Sequence, residues 1–141
     1  MLKKQILKSK KNCLIANKNL VKKNLSIQTF GNVSQRIDKN HFIIKPSGIN
    51  LNTIKHKDFN VINISSGKVV DGSLNPSSDT ETHRVLYRQW DTIKGIAHGH
   101  PTYGTSWAQT GKPIPVLGTT HADYFDKHVP ITNRMKKKDI K

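Results

Sequence analysis

Cysteine is almost absent from this sequence: Cys13 is the only one in 141 residues. A lone thiol excludes an intramolecular disulfide framework and a cysteine-rich zinc module. Aromatic residues are scarce, at 6%, and so are acids, with 9 Asp+Glu against 24 Lys+Arg. Within that basic excess arginine is scarce too. Arg36, Arg84, Arg88 and Arg134 are the four arginines, and the other 20 basic residues are lysines. No apolar run approaches the roughly 20 residues of a membrane span. No charged start followed by an apolar stretch reads as a signal peptide, so the cytoplasm is the default compartment. What remains is enough chain for one domain, or part of a larger one, with a real core.

A net charge of +15 ordinarily points to nucleic acid or another acidic partner. Here the charge is lysine, whereas phosphate forks and base stacking favour arginine. A chain rich in Lys, Asn and Ile also follows from coding bias toward A and T. Nucleic acid is therefore disfavoured as a partner, and a basic binder of nucleic acid or an acidic partner stays only as an alternative.

Residues 1–25 read as an amphipathic helix, with apolar pairs Ile6/Leu7, Cys13/Leu14 and Leu20/Val21 seven apart. Its lysine-lined face reads as solvated. A membrane-surface helix is the lesser reading, because the apolar face lacks aromatics. The pattern then becomes strand-like over Leu25–Phe30, His41–Lys45 and Phe59–Ile64, the last turning through Ser65-Ser66-Gly67 into a hairpin. A second helix opens at Ser77–Glu81, where Ser78 and Glu81 have capping-box spacing. Ile93–His98 reads as a strand and Thr102–Thr110 as a helix stopped by Gly111. Ile114–Leu117 and Val129–Ile131 read as short strands. The irregular alternation predicts α/β architecture, with a mixed sheet and helices packed on it. Residues 1–132 are expected to form one domain and 133–141 a basic tail. Trp90, Trp107, Tyr87 and Tyr103 read as core or interface residues.

The sharpest chemical feature is His98-Gly99-His100. Positions i and i+2 on a strand share a face, so two imidazoles converge as a divalent transition metal requires. Two exposed histidines at a strand end would look the same. Three segments could hold a phosphate. Lys45-Pro46-Ser47-Gly48 offers an ammonium, a hydroxyl and an unobstructed N–H. Ser77-Ser78 stands at a helix N-terminus, and Gly31-Asn32-Val33-Ser34 offers a turn with an amide. Each is also an ordinary cap or turn. Asp79 and Asp123 are the acid/base candidates, with a first-turn acid and a turn as their plain readings. His83 and His121 are further possible ligands, though capping or solvated roles are commoner for lone histidines.

In combination and order these motifs resemble the class II aldolase/adducin family, and within it the L-ribulose-5-phosphate 4-epimerase branch. The resemblance rests on Thr29–Ser34, Ile43–Gly48, Pro76–His83, Gly95–His100, Trp107-Ala108-Gln109 and Gly118–Phe125. It implies a three-layer α/β/α fold, C-terminally truncated, a bound zinc and a homotetramer. It implies conversion of L-ribulose 5-phosphate to D-xylulose 5-phosphate by retro-aldol cleavage and re-formation of the C3–C4 bond. Asn32, Lys45, Ser47, Gly48, Ser77 and Ser78 match phosphate-binding positions. His98 and His100 match zinc ligands, Asp79 an acidic residue beside the metal, and Asp123 the proton carrier at the C4 oxygen. Asp79, where sister aldolases carry Glu, and the run Thr120-His121-Ala122-Asp123-Tyr124-Phe125 favour epimerase over a class II sugar-phosphate aldolase. The resemblance also places a third zinc histidine and a tyrosine from a neighbouring subunit beyond Lys141. Impaired activity, or an inactive remnant, is therefore expected of this chain.

Overall fold

The computed structural model describes residues 2–134 and residue 136, so most of the expected basic tail lies outside the described residues. The chain divides into two compact units, 1–100 and 101–141.

The first unit opens with helix α1 (Leu2–Lys22), 21 residues without Gly or Pro. Cys13 and Leu20 are buried, with Ile6 and Leu14 half-buried beside them, while Leu7 is exposed. Only Cys13 and Leu20 of the three expected apolar pairs thus face fully inward, and the Ile6/Leu7 pair has no buried member. The helix stops in a Schellman motif: Asn24 takes φ 56°, and the amides of Asn24 and Leu25 reach back to Val21 O and Leu20 O at 2.9 and 2.8 Å. Asn tolerates the left-handed conformation that this closure needs.

Five strands follow: β1 (Asn32–Arg36), β2 (His41–Ile44), β3 (Asn60–Asn63), β4 (Val69–Asp71) and β5 (Gly95–His98). Their order is β4-β3-β2-β1-β5, and every pairing is antiparallel, so the expected mixed sheet is corrected. The stretch Leu25–Phe30, expected as a strand, is a turn-rich loop instead. Alternate residues of β2 and β3 enter two cores. Ile43 and Val61 join Cys13, Ile54 and Phe59 under α1. Phe42, Ile44 and Ile62 join Ile64 and Tyr87 on the other face. Burial on both faces explains why these strands read as continuous apolar runs. Tyr87 comes from α2 (Thr80–Gln89), so helix, sheet and helix form the three layers.

Asn17 ties α1 to the sheet. It is buried mid-helix, donates through Nδ2 to Val33 O at 2.9 Å, and accepts from Val33 N at 2.9 Å. The side-chain amide thereby occupies main-chain groups that a neighbouring strand would otherwise use. Buried Arg36 caps the far end of α2, donating to Tyr87 O, to Trp90 O at 2.9 Å and to Ile93 O at 3.0 Å. Tyr87 O and Trp90 O are carbonyls that the helix end leaves without internal partners.

The second unit contains α3 (Thr102–Gln109) and the short α4 (Thr119–Ala122). The two strands expected there reduce to one bridge, Ile114 to Val129. Tyr103 and Trp107 are exposed, as is Trp90 of the first unit; of the four large aromatics only Tyr87 is core. Among the described residues no helix is long and apolar enough to cross a membrane.

Candidate active site

The site grows from four loops at one end of the first unit's sheet. Gly31 takes φ +68°, and a Cβ there would meet Ser26 Oγ and lie 2.7 Å from His98 O. Only glycine lets loop 26–31 pass this close to the end of β5. Ser26 Oγ donates to Phe30 O at 2.5 Å, and His100 N donates to Leu25 O at 2.7 Å. Segments 45–48 and 75–77 lie side by side through the antiparallel bridge of Pro46 to Pro76. Ser47 N donates to Asn75 O, and Ser77 N to Lys45 O, at 2.9 and 3.0 Å.

These loops enclose a pocket of about 320 Å³. All six residues expected to bind phosphate line it: Asn32, Lys45, Ser47, Gly48, Ser77 and Ser78. So do Asp79, His98 and His100. Stretches almost 70 residues apart in sequence are thus brought together, although each alone reads as an ordinary turn.

Lys45 is buried, and its Nζ donates to Thr29 O at 3.0 Å and Pro46 O at 3.2 Å. Burial lowers its pKa, and attraction to Asp79 partly opposes this. An ammonium carries three protons, so two carbonyls leave one for an anion. The hydroxyls of Ser47 and Ser78 are exposed on the same rim. The N-terminus of α2 adds the positive end of a helix dipole.

Asp79 links Asn32 to His98. Its Oδ2 accepts from Asn32 Nδ2 at 2.6 Å and from His98 Nδ1 at 2.9 Å. Burial pushes the carboxyl up; hydrogen bonds from His98 and Asn32, with the attraction of His98, outweigh it and hold it below the ordinary carboxylate value. This explains why the expected capping box does not form. Asp79 occupies the N-cap position but makes no side-chain cap bond, and Glu81 instead grips Arg84 at 2.6 and 2.7 Å. With Nδ2 spent on Asp79 and 3.4 Å from Ser77 Oγ, Asn32 leaves Oδ1 buried and without a partner among the described residues. That oxygen is an acceptor awaiting a hydroxyl or ammonium donor, since a phosphate oxygen cannot supply a proton when fully ionised.

The imidazoles of His98 and His100 stand with centroids 4.7 Å apart, tilted by 51°. A carboxylate can only accept, so His98 Nδ1 carries the proton and its Nε2 is the free ligand atom. This is the arrangement of a carboxylate behind a metal-binding histidine. The donor chemistry therefore suits a divalent metal at His98 and His100. Asp79 sits on the Nδ1 side of His98, and among the described residues no group of three His, Cys, Asp or Glu is arranged to hold a metal. A metal there would keep open coordination positions.

The remaining candidates are His83, Asp123 and His121. His83 is buried behind the pocket, its Nδ1 2.7 Å from Ser34 Oγ, which is also 2.8 Å from Tyr87 Oη. Burial pushes His83 down to about 4; attraction to Asp79 partly opposes this, and repulsion from His98 adds a smaller push in the same direction as burial. It is therefore neutral at neutral pH. Asp123 follows α4 in the second unit and is exposed, and His121 there packs edge-on against Phe125. The Ser34–His83–Tyr87 group escaped the sequence reading. Its available signals were the i, i+4 spacing of His83 and Tyr87 and the placement of Ser34 two residues after Asn32.

A family model described as the class II aldolase and adducin N-terminal domain matches residues 12–141. The chain belongs to that family. Among solved structures it is similar to an L-fuculose 1-phosphate aldolase at 36% identity and TM-score 0.72, covering 77% of this chain and 51% of that one. The L-fuculose 1-phosphate aldolase of Glaciozyma antarctica shares the fold at 18% identity and TM-score 0.75, covering 88% and 52%. That of Thermus thermophilus does so at 23% identity and TM-score 0.69, covering 84% and 59%. The chain spans about half the length of the first two. The class II aldolase-like α/β fold expected from the motifs is thus the fold observed.

Proposed function

We propose that the pocket binds a sugar phosphate and supports retro-aldol chemistry, and that its reaction is the 4-epimerisation of L-ribulose 5-phosphate to D-xylulose 5-phosphate. The observation that supports this is the meeting of Lys45, Ser47 and Ser78 with the His98–Asp79 pair in one pocket. Lys45 Nζ, the two hydroxyls and the Gly48 N–H would hold the phosphate. Asn32 Oδ1 would accept from a sugar hydroxyl. Asp79 would keep the His98 ring turned with Nε2 outward. His98 and His100 are the residues that would hold zinc, which when bound supplies Lewis-acid stabilisation of negative charge on substrate oxygens. Asp123 would hold and return the proton at the C4 oxygen. Assembly as a homo-oligomer, a tetramer by resemblance, belongs to the same proposal.

A second reading, cleavage by a class II aldolase, is supported by the 36% identity to an L-fuculose 1-phosphate aldolase. Asp79 in place of Glu favours epimerisation. The test is to incubate the zinc-supplied chain with L-ribulose 5-phosphate and follow products by NMR. D-xylulose 5-phosphate, lost in Asp123→Asn, supports the epimerase. Glycolaldehyde phosphate and dihydroxyacetone without epimer support the aldolase. Neither product from a folded chain refutes both for this chain.

A further inference from the structure

Cys13, Asn17 and Leu20 turn one side of α1 into the protein. At 100° per residue, Lys4, Lys8, Lys11, Lys18 and Lys22 fall on the opposite side within an arc about 100° wide, and all five are exposed. Leu7 and Ile15 lie in the same arc, 45% and 59% exposed. The helix contains no acid. Lys10, on its flank, pairs with Asp71 at 2.6 Å, but none of the five ridge lysines has a carboxylate partner among the described residues. From Lys4 to Lys22 the ridge runs about 27 Å, at 1.5 Å per residue.

A straight row of ammonium groups fits any polyanion; the two aliphatic side chains choose between them. A nucleic-acid backbone offers nothing to Leu7 or Ile15. An anionic bilayer takes both beneath its headgroups while the lysine stems snorkel back to the phosphates. Lysine, a compact point charge, needs no bidentate geometry for this. We infer that the outward face of α1 docks on an anionic lipid surface, with the helix lying in the headgroup plane and Leu7 and Ile15 turned into the bilayer. This inference takes up the membrane-surface reading of that face in place of the solvated one.

The test is flotation of the full chain with phosphatidylcholine vesicles, with and without about one-third phosphatidylglycerol, at about 0.1 M salt. Each ridge lysine is worth roughly a fivefold change in affinity near such a surface. The triple variant Lys8→Gln, Lys11→Gln, Lys18→Gln should therefore bind about 100-fold more weakly. A charge-matched control, Lys39→Gln, Lys94→Gln, Lys112→Gln, changes exposed lysines off the helix and should lose only a few-fold. Ile15→Gln should weaken binding several-fold. Circular dichroism confirms that each variant is folded. Equal loss in both triple variants, no effect of Ile15→Gln, no vesicle binding, or tighter binding to duplex DNA at the same salt would each overturn the inference.

Discussion

His83 makes acid stability a direct test of the buried polar group. Its ring is buried and its pKa is pushed down to about 4, against 6.5 when solvated. Below about pH 6.5 the unfolded chain takes up a proton that the folded chain refuses. Stability from this residue is thus fully present above that pH and is lost as pH falls toward about 4. Between about pH 7.5 and 4.5 the linkage relation gives a loss on the order of 2.5 kcal/mol. Against a total of roughly 5–15 kcal/mol that is a large share. Urea unfolding at several pH values, for the wild type and His83→Gln, isolates it. Asp38 and Asp79, both lowered below ordinary carboxylate values, lose stability in the same acid direction, but they do so in both proteins. The wild type should fall more steeply than the variant by about that amount. Parallel slopes, within about 0.5 kcal/mol, would show that His83 is not held neutral by burial.

Asp79→Asn should weaken zinc binding about 10- to 100-fold, because the group behind His98 no longer fixes its tautomer, as read by competition with a chelating dye. Asn17→Leu should cost about 1–3 kcal/mol in urea unfolding, since it strands the main-chain N–H of Val33 and leaves Val33 O with only the weak Cys13 thiol donor. Cys13, buried and with its thiol pushed up to about 12 by desolvation, should resist alkylation at pH 8 until the chain is unfolded by urea. Fast labelling of the native chain would contradict its placement under α1.

The elements that read correctly from sequence are those where one periodicity dominates. β2 and β3 stand out because both of their faces are apolar, and the α1 lysines mark an outer face. The candidate site was legible for a different reason. Its residues sit in short motifs whose chemistry survives without knowing the fold, as with His98-Gly99-His100 and Lys45-Pro46-Ser47-Gly48. β1 shows why the rest was not. In Asn-Val-Ser-Gln-Arg the buried positions are Asn32, Ser34 and Arg36, and half-buried Val33 and Gln35 alternate with them. Periodicity assigns polar residues to water. Here they meet partners from α2 and its flanks, 45 or more residues away, which no local pattern reveals. The capping box misled in the same way: Glu81 and Asp79 each found a partner that the spacing rule does not consider.

The polar face of β1 also acts as a check on assembly. A slip of one residue in this strand would turn every side chain to the opposite face. Asn32, Ser34 and Arg36 would then enter the aliphatic layer under α1, while Asp79, His83 and the carbonyls ending α2 would lose their donors and acceptors. Each stranded group costs about 1–3 kcal/mol, so the misregistered sheet is penalised several times over by the same residues that build the pocket. A purely apolar β1 would tolerate the slip more easily. Folding to the right register and forming the right site are, for this strand, one selection and not two.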